Sequence, residues 1–129
     1  MNAKLSEHLY VREFACRCGC CLCDPTDRLL TLFEKVRAVL GVKMHVTSGQ
    51  RCAEHNARVG GASGSQHVMG NAIDFYCIEY TPEKVVDKIT AAFNLGMLSE
   101  MGGIGYSKIK GFVHIDAREG GGLVRIRYR

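Results

Sequence analysis

Apolar residues recur at helical spacing between Thr26 and Gly41, where Leu29, Leu30, Leu32, Phe33, Val36, Val39 and Leu40 fall at intervals that keep them on one side. Such a stripe marks an amphipathic helix that buries one face. Asp24 or Thr26 can cap its start, Pro25 suits the entry and Gly41 supplies the stop, so the pattern predicts a helix over about 26–40. A second helix is predicted from Thr81 as cap and Pro82 in the first turn, with Val85, Val86, Ile89 and Phe93 along one face and Gly96 closing it. Short runs rich in β-branched and aromatic residues predict strands at Val42–Thr47, Ala72–Ile78, Gly103–Tyr106, Phe112–Ala117 and Leu123–Tyr128. From Ser48 to Gly70 the chain turns polar and glycine-rich and reads as one long loop, a length that marks a functional or disordered segment. Taken in order, helix, strand, loop, strand, helix and a C-terminal group of strands predict an α+β domain whose helices pack on a mainly antiparallel sheet.

Length changes that picture little: 129 residues suffice for one hydrophobic core, so residues 1–129 are expected to form one domain with a cysteine-rich segment at about 14–24. No apolar run approaches the ~20 residues that span a bilayer, so no membrane insertion is expected. The opening MNAKLSEHLYVREFACRC carries no apolar stretch of the kind a cleavable secretory signal needs, and synthesis in the cytoplasm is expected. A net charge of +4 favours a weakly anionic partner, either nucleic acid or an anionic cell wall. Because no run of five Lys or Arg occurs and aromatic residues are 8% of the chain, a nucleic-acid partner is not expected.

The cysteines do alter the picture. Five of the seven, Cys16, Cys18, Cys20, Cys21 and Cys23, crowd into CRCGCCLC, and the odd total rules out a framework that pairs them all. Clustered thiols without a secretory signal point to metal binding or reduced thiols. Cys52 can approach Cys16 or Cys18, giving a disulfide or a shared metal, so a second zinc on this cluster joins the candidate cofactors.

Chemistry concentrates in SQHVMGNAID, residues 65–74, and FVHIDAR, residues 112–118. Strand alternation puts Ala72, Asp74 and Tyr76 on one face, and Phe112, His114 and Asp116 likewise share a face. A carboxylate in so apolar a strand needs a partner, because an unpaired buried charge is costly. His67, Asp74 and His114 make up a common three-ligand zinc set that leaves a fourth position open. Hydrolysis at such a centre calls for a general base, and Asp116, about 7 Å along the strand from His114, is the nearest candidate in sequence.

At these residues the chain resembles the zinc peptidases of the D-alanyl-D-alanine carboxypeptidase family, peptidase family M15, in its short single-domain branch. The family pattern S-x-H-x-x-G-x-A-x-D reads here as SQHVMGNAID, and FVHIDAR matches the strand of the third ligand. S-G-x-R is matched by Ser48, Gly49, Gln50 and Arg51, followed by His55 and Asn56, while EFACRCGC and GGIGY also look like this branch. The resemblance spans roughly residues 8–118 and implies the fold shared by hedgehog signalling domains and D,D-peptidases. It implies His67, Asp74 and His114 as zinc ligands, Arg51 as a clamp for a substrate carboxylate or carbonyl, and Ser65 at the rim. It also implies hydrolysis of peptidoglycan stem peptides, as a carboxypeptidase or endopeptidase used in wall remodelling or as a phage lysin. One departure stands out: many members place the catalytic acid three residues before the last histidine, where this chain has Gly111. Asp116, Glu100 or a residue from a neighbouring loop must then serve. The alternative is a non-catalytic zinc-binding module of the same fold.

Overall fold

A computed structural model describes residues 3–128, so Met1, Asn2 and Arg129 of the expected 1–129 domain lie outside the described residues. The chain opens with a small antiparallel hairpin, β1 (Lys4–Ser6) and β2 (Leu9–Tyr10), and a single helical turn, α1 (Val11–Phe14). There follow α2 (Asp27–Leu40), β3 (His45–Ser48), α3 (Ala53–Arg58), β4 (Ala72–Tyr76), α4 (Pro82–Asn94), β5 (Gly103–Ser107), β6 (Phe112–Asp116) and β7 (Val124–Arg127).

Both long helices begin and end where their sequences direct. The Thr26 hydroxyl accepts from the Leu29 N–H, and Gly41 takes φ +68° to close α2. The Thr81 hydroxyl accepts from the Lys84 N–H, and Pro82 opens α4. Their apolar faces, led by Leu29, Leu32, Phe33 and Val36 on α2 and Val85 and Ile89 on α4, are fully buried, or within 1% of it. Burying each such side chain stabilises the fold by about 1.5–3 kcal/mol.

Five strands form one sheet in the order β3-β4-β6-β5-β7, antiparallel except for the β5–β7 pair. The fold is therefore α+β with a mainly antiparallel sheet, as expected from the sequence. One sheet face carries Ile73, Phe75, Val113, Ile115 and Ile104 into the core shared with the helices. Registry lines up the other face, setting Ser48 opposite Asp74, Asp74 opposite His114, and His114 opposite Gly105. A second row runs Ala72, Asp116, Gly103.

Three local features depart from the sequence reading. The segment from Ser48 to Gly70 is not all loop, because α3 occupies Ala53–Arg58. Six residues are too few to display a helical period, and its cap is the Cys52 sulfur, which accepts from the His55 N–H, rather than a hydroxyl or carboxylate. β3 starts at His45, since the chain leaves α2 at Gly41 and buries Met44 before reaching the sheet. The β1–β2 hairpin and α1 are likewise too short to leave a periodic signature.

Candidate metal centre and substrate cleft

Asp74 and His114 come from neighbouring central strands, and pairing registry alone makes them partners. His67 comes from the turn that follows α3. That turn is fixed by Arg51 N–H donating to the His67 carbonyl at 3.1 Å and by His67 N–H donating to the Ser65 hydroxyl at 3.2 Å. Gly70 closes it at φ +70°, where a Cβ would also run into the Asp24 carbonyl. The glycine of the H-x-x-G motif is thus required twice, for its dihedral and for its bareness.

The three side chains converge on one point. His67 Nε2 lies 3.2 Å and His114 Nδ1 2.8 Å from the same oxygen, Oδ1 of Asp74. All three residues are buried, at 3%, 3% and 7% exposure. The far nitrogen of each ring is also held: His67 Nδ1 lies 2.7 Å from the Gly49 carbonyl, and His114 Nε2 lies 2.8 Å from Asp116 Oδ2. Each imidazole is therefore wedged between two acceptors. A neutral ring has one N–H, which goes to the far acceptor, and its remaining lone pair then faces the Asp74 carboxylate. Lone pairs so close repel unless a cation, either a proton or a metal, sits among them. The donor set suits zinc, which takes imidazole nitrogen and carboxylate oxygen at about 2.0–2.2 Å, so tetrahedral ligand atoms stand about 3.3 Å apart. The two spacings, 3.2 and 2.8 Å, then need to widen by about 0.1 and about 0.5 Å.

Titration reflects the same demand. Burial raises the Asp74 pKa, but hydrogen bonds from His114 and His67 and their charges outweigh it, bringing it down to about 2. Burial lowers the His114 pKa, yet Asp116 and Asp74 together leave it raised.

Asp116 shares the His114 face, as strand alternation requires, but it does not stand off as a free carboxylate. It is fully buried, and both oxygens are engaged. Oδ2 meets His114 Nε2 and accepts from Arg118 Nη2 at 2.7 Å, while Oδ1 accepts from Arg118 Nε at 2.8 Å and the Arg118 N–H at 3.2 Å. Burial would raise its pKa, but Arg118 and His114 hold it well below the usual carboxylate range. The sequence reading expects a base facing the open position, and in the structure the Asp116 carboxylate stands behind the His114 ring, held by Arg118. Gly103 explains how it fits, since a Cβ there would collide with the Asp116 carboxylate. The glycines of GGIGY keep the site face of β5 bare beneath Asp116 and His114.

Arg51 stands over the trio, its Nη2 3.8 Å from Asp74 Oδ2. Its guanidinium is aimed by Asn56, whose Oδ1 accepts from Nη1 at 3.0 Å, and by the Ser48 hydroxyl at 3.3 Å from Nε. Asn56 is itself buried and donates to the Ala62 carbonyl at 2.8 Å. Two hollows of about 360 and about 440 Å³ meet here, sharing Arg51, Gly60, Gly61 and Tyr128. Ser65, His67 and His114 line the first, and His55 and Asp74 the second. A slightly larger hollow of about 450 Å³ lies beside Arg28 and Gly120 instead.

Glu100 is not at the cleft; its two oxygens each lie 3.0 Å from Lys35 Nζ on α2. Gly111 sits in the β5–β6 turn at φ +75°, its N–H donating to the Ser107 carbonyl at 2.8 Å. That left-handed position favours glycine and accounts for the missing side chain. Two cleft residues escaped the sequence reading. Tyr128 packs edge-on against Phe112 and tilts toward His114, with ring centroids 5.0 and 6.1 Å away. Burial and the nearby Asp74 charge push its phenol well above its ordinary pKa, so it stays protonated. Arg118 is the other. The FVHIDAR segment held a signal for it, an arginine two residues past Asp116, but strand order leaves its direction open.

The sequence profile of the family described as Peptidase M15 matches residues 5–116, which include His67, Asp74, His114 and Asp116 and leave out Arg118 and Tyr128. No curated protein matches the chain.

Proposed function

The chain belongs to the M15 peptidase family, and from that premise we propose that it is a zinc peptidase hydrolysing stem peptides of bacterial peptidoglycan, as a D,D-carboxypeptidase or endopeptidase. The observation that carries this reading is the convergence of His67, Asp74 and His114 at the floor of a cleft, each ring pinned from behind. Zinc held there would supply a Lewis acid for the scissile carbonyl and an activated water.

The chain's own residues divide the remaining work. Arg51, pre-aimed by Asn56 and Ser48, offers its remaining N–H groups to a substrate carboxylate or carbonyl, a task suited to a planar fork of donors. Tyr128, kept protonated, offers a phenol O–H across the same cleft. Ser65 shapes the rim. Asp116 holds the His114 ring with Nδ1 toward the metal position, the usual service of a carboxylate behind a ligating histidine. His55 lines the cleft wall beside Arg51. Among the described residues no helix is long and apolar enough to cross a membrane, and release to the cell wall as a lysin fits the proposed substrate.

A second reading rests on one observation. Among the residues lining the cleft the only carboxylate is Asp74, itself a candidate ligand, and Gly111 carries no acid. A family member so built would bind zinc and peptide without cutting. Incubation of the purified protein with peptidoglycan fragments, followed by mass spectrometry, separates the two. Cleavage products that vanish with a chelator support the peptidase. Zinc-dependent retention of intact fragments without cleavage supports the binding module.

A further inference from the structure

The cysteine segment lies apart from the trio, and its geometry points to a second metal: we propose that Cys16, Cys18, Cys20 and Cys52 hold a structural zinc ion. Their sulfur atoms all lie within 4.8 Å of one another. Cys18 Sγ stands 3.5 Å from Cys16 Sγ and 3.6 Å from Cys52 Sγ. Four thiolates around zinc at about 2.3 Å sit about 3.8 Å apart, close to the two short spacings and inside the 4.8 Å limit shared by all four. A disulfide needs sulfurs about 2.0 Å apart, and Cys18 has two near-equal neighbours where a disulfide allows one.

Backbone conformation gathers these thiols and leaves the others out. Cys16 N–H donates to the Leu22 carbonyl at 2.8 Å, closing residues 16–22 into a loop. Gly19 at φ +100° and Cys21 at φ +61° curl it, and the sulfurs of Cys16, Cys18 and Cys20 draw together. A non-glycine residue at positive φ is uncommon, and strain of this kind persists where the surroundings over-determine it. Two main-chain donors also reach the sulfurs, Cys52 N–H to Cys16 Sγ at 3.3 Å and His55 N–H to Cys52 Sγ at 3.4 Å. Such bonds stabilise thiolates as they stabilise other anionic acceptors. Each thiol gives up its proton to solvent as its sulfur binds the metal. Loop 16–22 is thereby tied to the residue that follows Arg51 and caps α3, whose Asn56 aims that arginine. Zinc here fixes the substrate clamp from behind.

The site stands independently of the peptidase reading, and metal content tests it. Protein purified under reducing conditions is assayed by mass spectrometry of metals, alongside C18S/C20S and H67A/H114A. Two zinc ions per chain are expected in the parent, and one in each double variant. Cobalt(II) substitution of H67A/H114A should give the intense sulfur-to-cobalt charge-transfer absorption of a thiolate site. That measurement decides the matter even if C18S/C20S does not fold. H67A/H114A that retains no zinc and shows no such band overturns the proposal, as does intact-mass evidence of disulfide pairing among the four. A parent that holds two zinc ions but cleaves no peptide sinks the peptidase reading and leaves this site standing.

Discussion

Replacing Asp116 by asparagine removes one charge and changes no volume, yet the site has no place for an amide. Oδ1 of the carboxylate accepts from Arg118 N–H and Nε, and Oδ2 lies against His114 Nε2 and accepts from Arg118 Nη2. An amide nitrogen on either side therefore meets donors. If it faces His114, the ring can respond by moving its proton to Nδ1, the atom that must stay bare for a metal. Loss of such a carboxylate partner costs about 10–100-fold in metal affinity, or about 1.4–2.7 kcal/mol. Breaking a buried charge pair typically destabilises by about 3–5 kcal/mol, and the part-exposed Arg118 can turn to solvent, so about 2–3 kcal/mol is expected here. Zinc affinity is measured by competition with a chromophoric chelator, and turnover at saturating zinc, so that weak binding does not pass for slow chemistry. Unchanged zinc affinity with turnover lowered about 10²–10⁴-fold would make Asp116 the general base and refute the reasoning. If neither quantity changes, Asp116 has no role at the site at all.

Further expectations follow from single contacts. Arg51→Ala removes a charged donor facing the cleft and should lower kcat/KM by about 10- to 150-fold, from about 1.5–3 kcal/mol per charged hydrogen bond. Its melting temperature should move by only a few degrees, and a collapsed fold whose folded fraction still cleaves normally would count against the clamp. Gly103→Ala drives a Cβ into the Asp116 carboxylate and should cost about 1–3 kcal/mol with a parallel loss of zinc affinity; denaturant midpoints that match the parent would contradict it. Glu100→Gln should leave turnover untouched and cost at most about 1 kcal/mol. Burial opposes ionisation of Glu100, but Lys35 lowers its folded pKa overall. The pair therefore stabilises above the ordinary carboxylate pKa and fades as pH falls through the lowered value, so parent and variant should converge in stability in acid.

The periodic elements were legible because each repeats a local rule. Thr26, Pro82 and Gly41 act on their nearest neighbours, and the stripes on α2 and α4 need only the helical period. Strand alternation likewise sorted Ile73 and Phe75 from Asp74, and Val113 and Ile115 from His114, before any partner was known. Motif spacing picked out His67, Asp74 and His114 as a candidate ligand set. What alternation could not supply was direction within a face. It put Asp116 beside His114 without revealing that Arg118 folds back to occupy its oxygens, or that Gly103 on the preceding strand makes the space. Nor could the chain by itself show Asn56 aiming Arg51, Tyr128 arriving from the last strand, or Cys20 joining Cys16, Cys18 and Cys52, although the approach of Cys52 to Cys16 or Cys18 is expected from sequence. Tyr128 and Cys52 meet residues far off in sequence through the packing of separate elements, and Asn56 reaches Arg51 through the turn into α3. The sequence alone determined which groups can do chemistry. Only the tertiary structure decided which of them meet, because side-chain contacts depend on registry and loop path that no local pattern encodes.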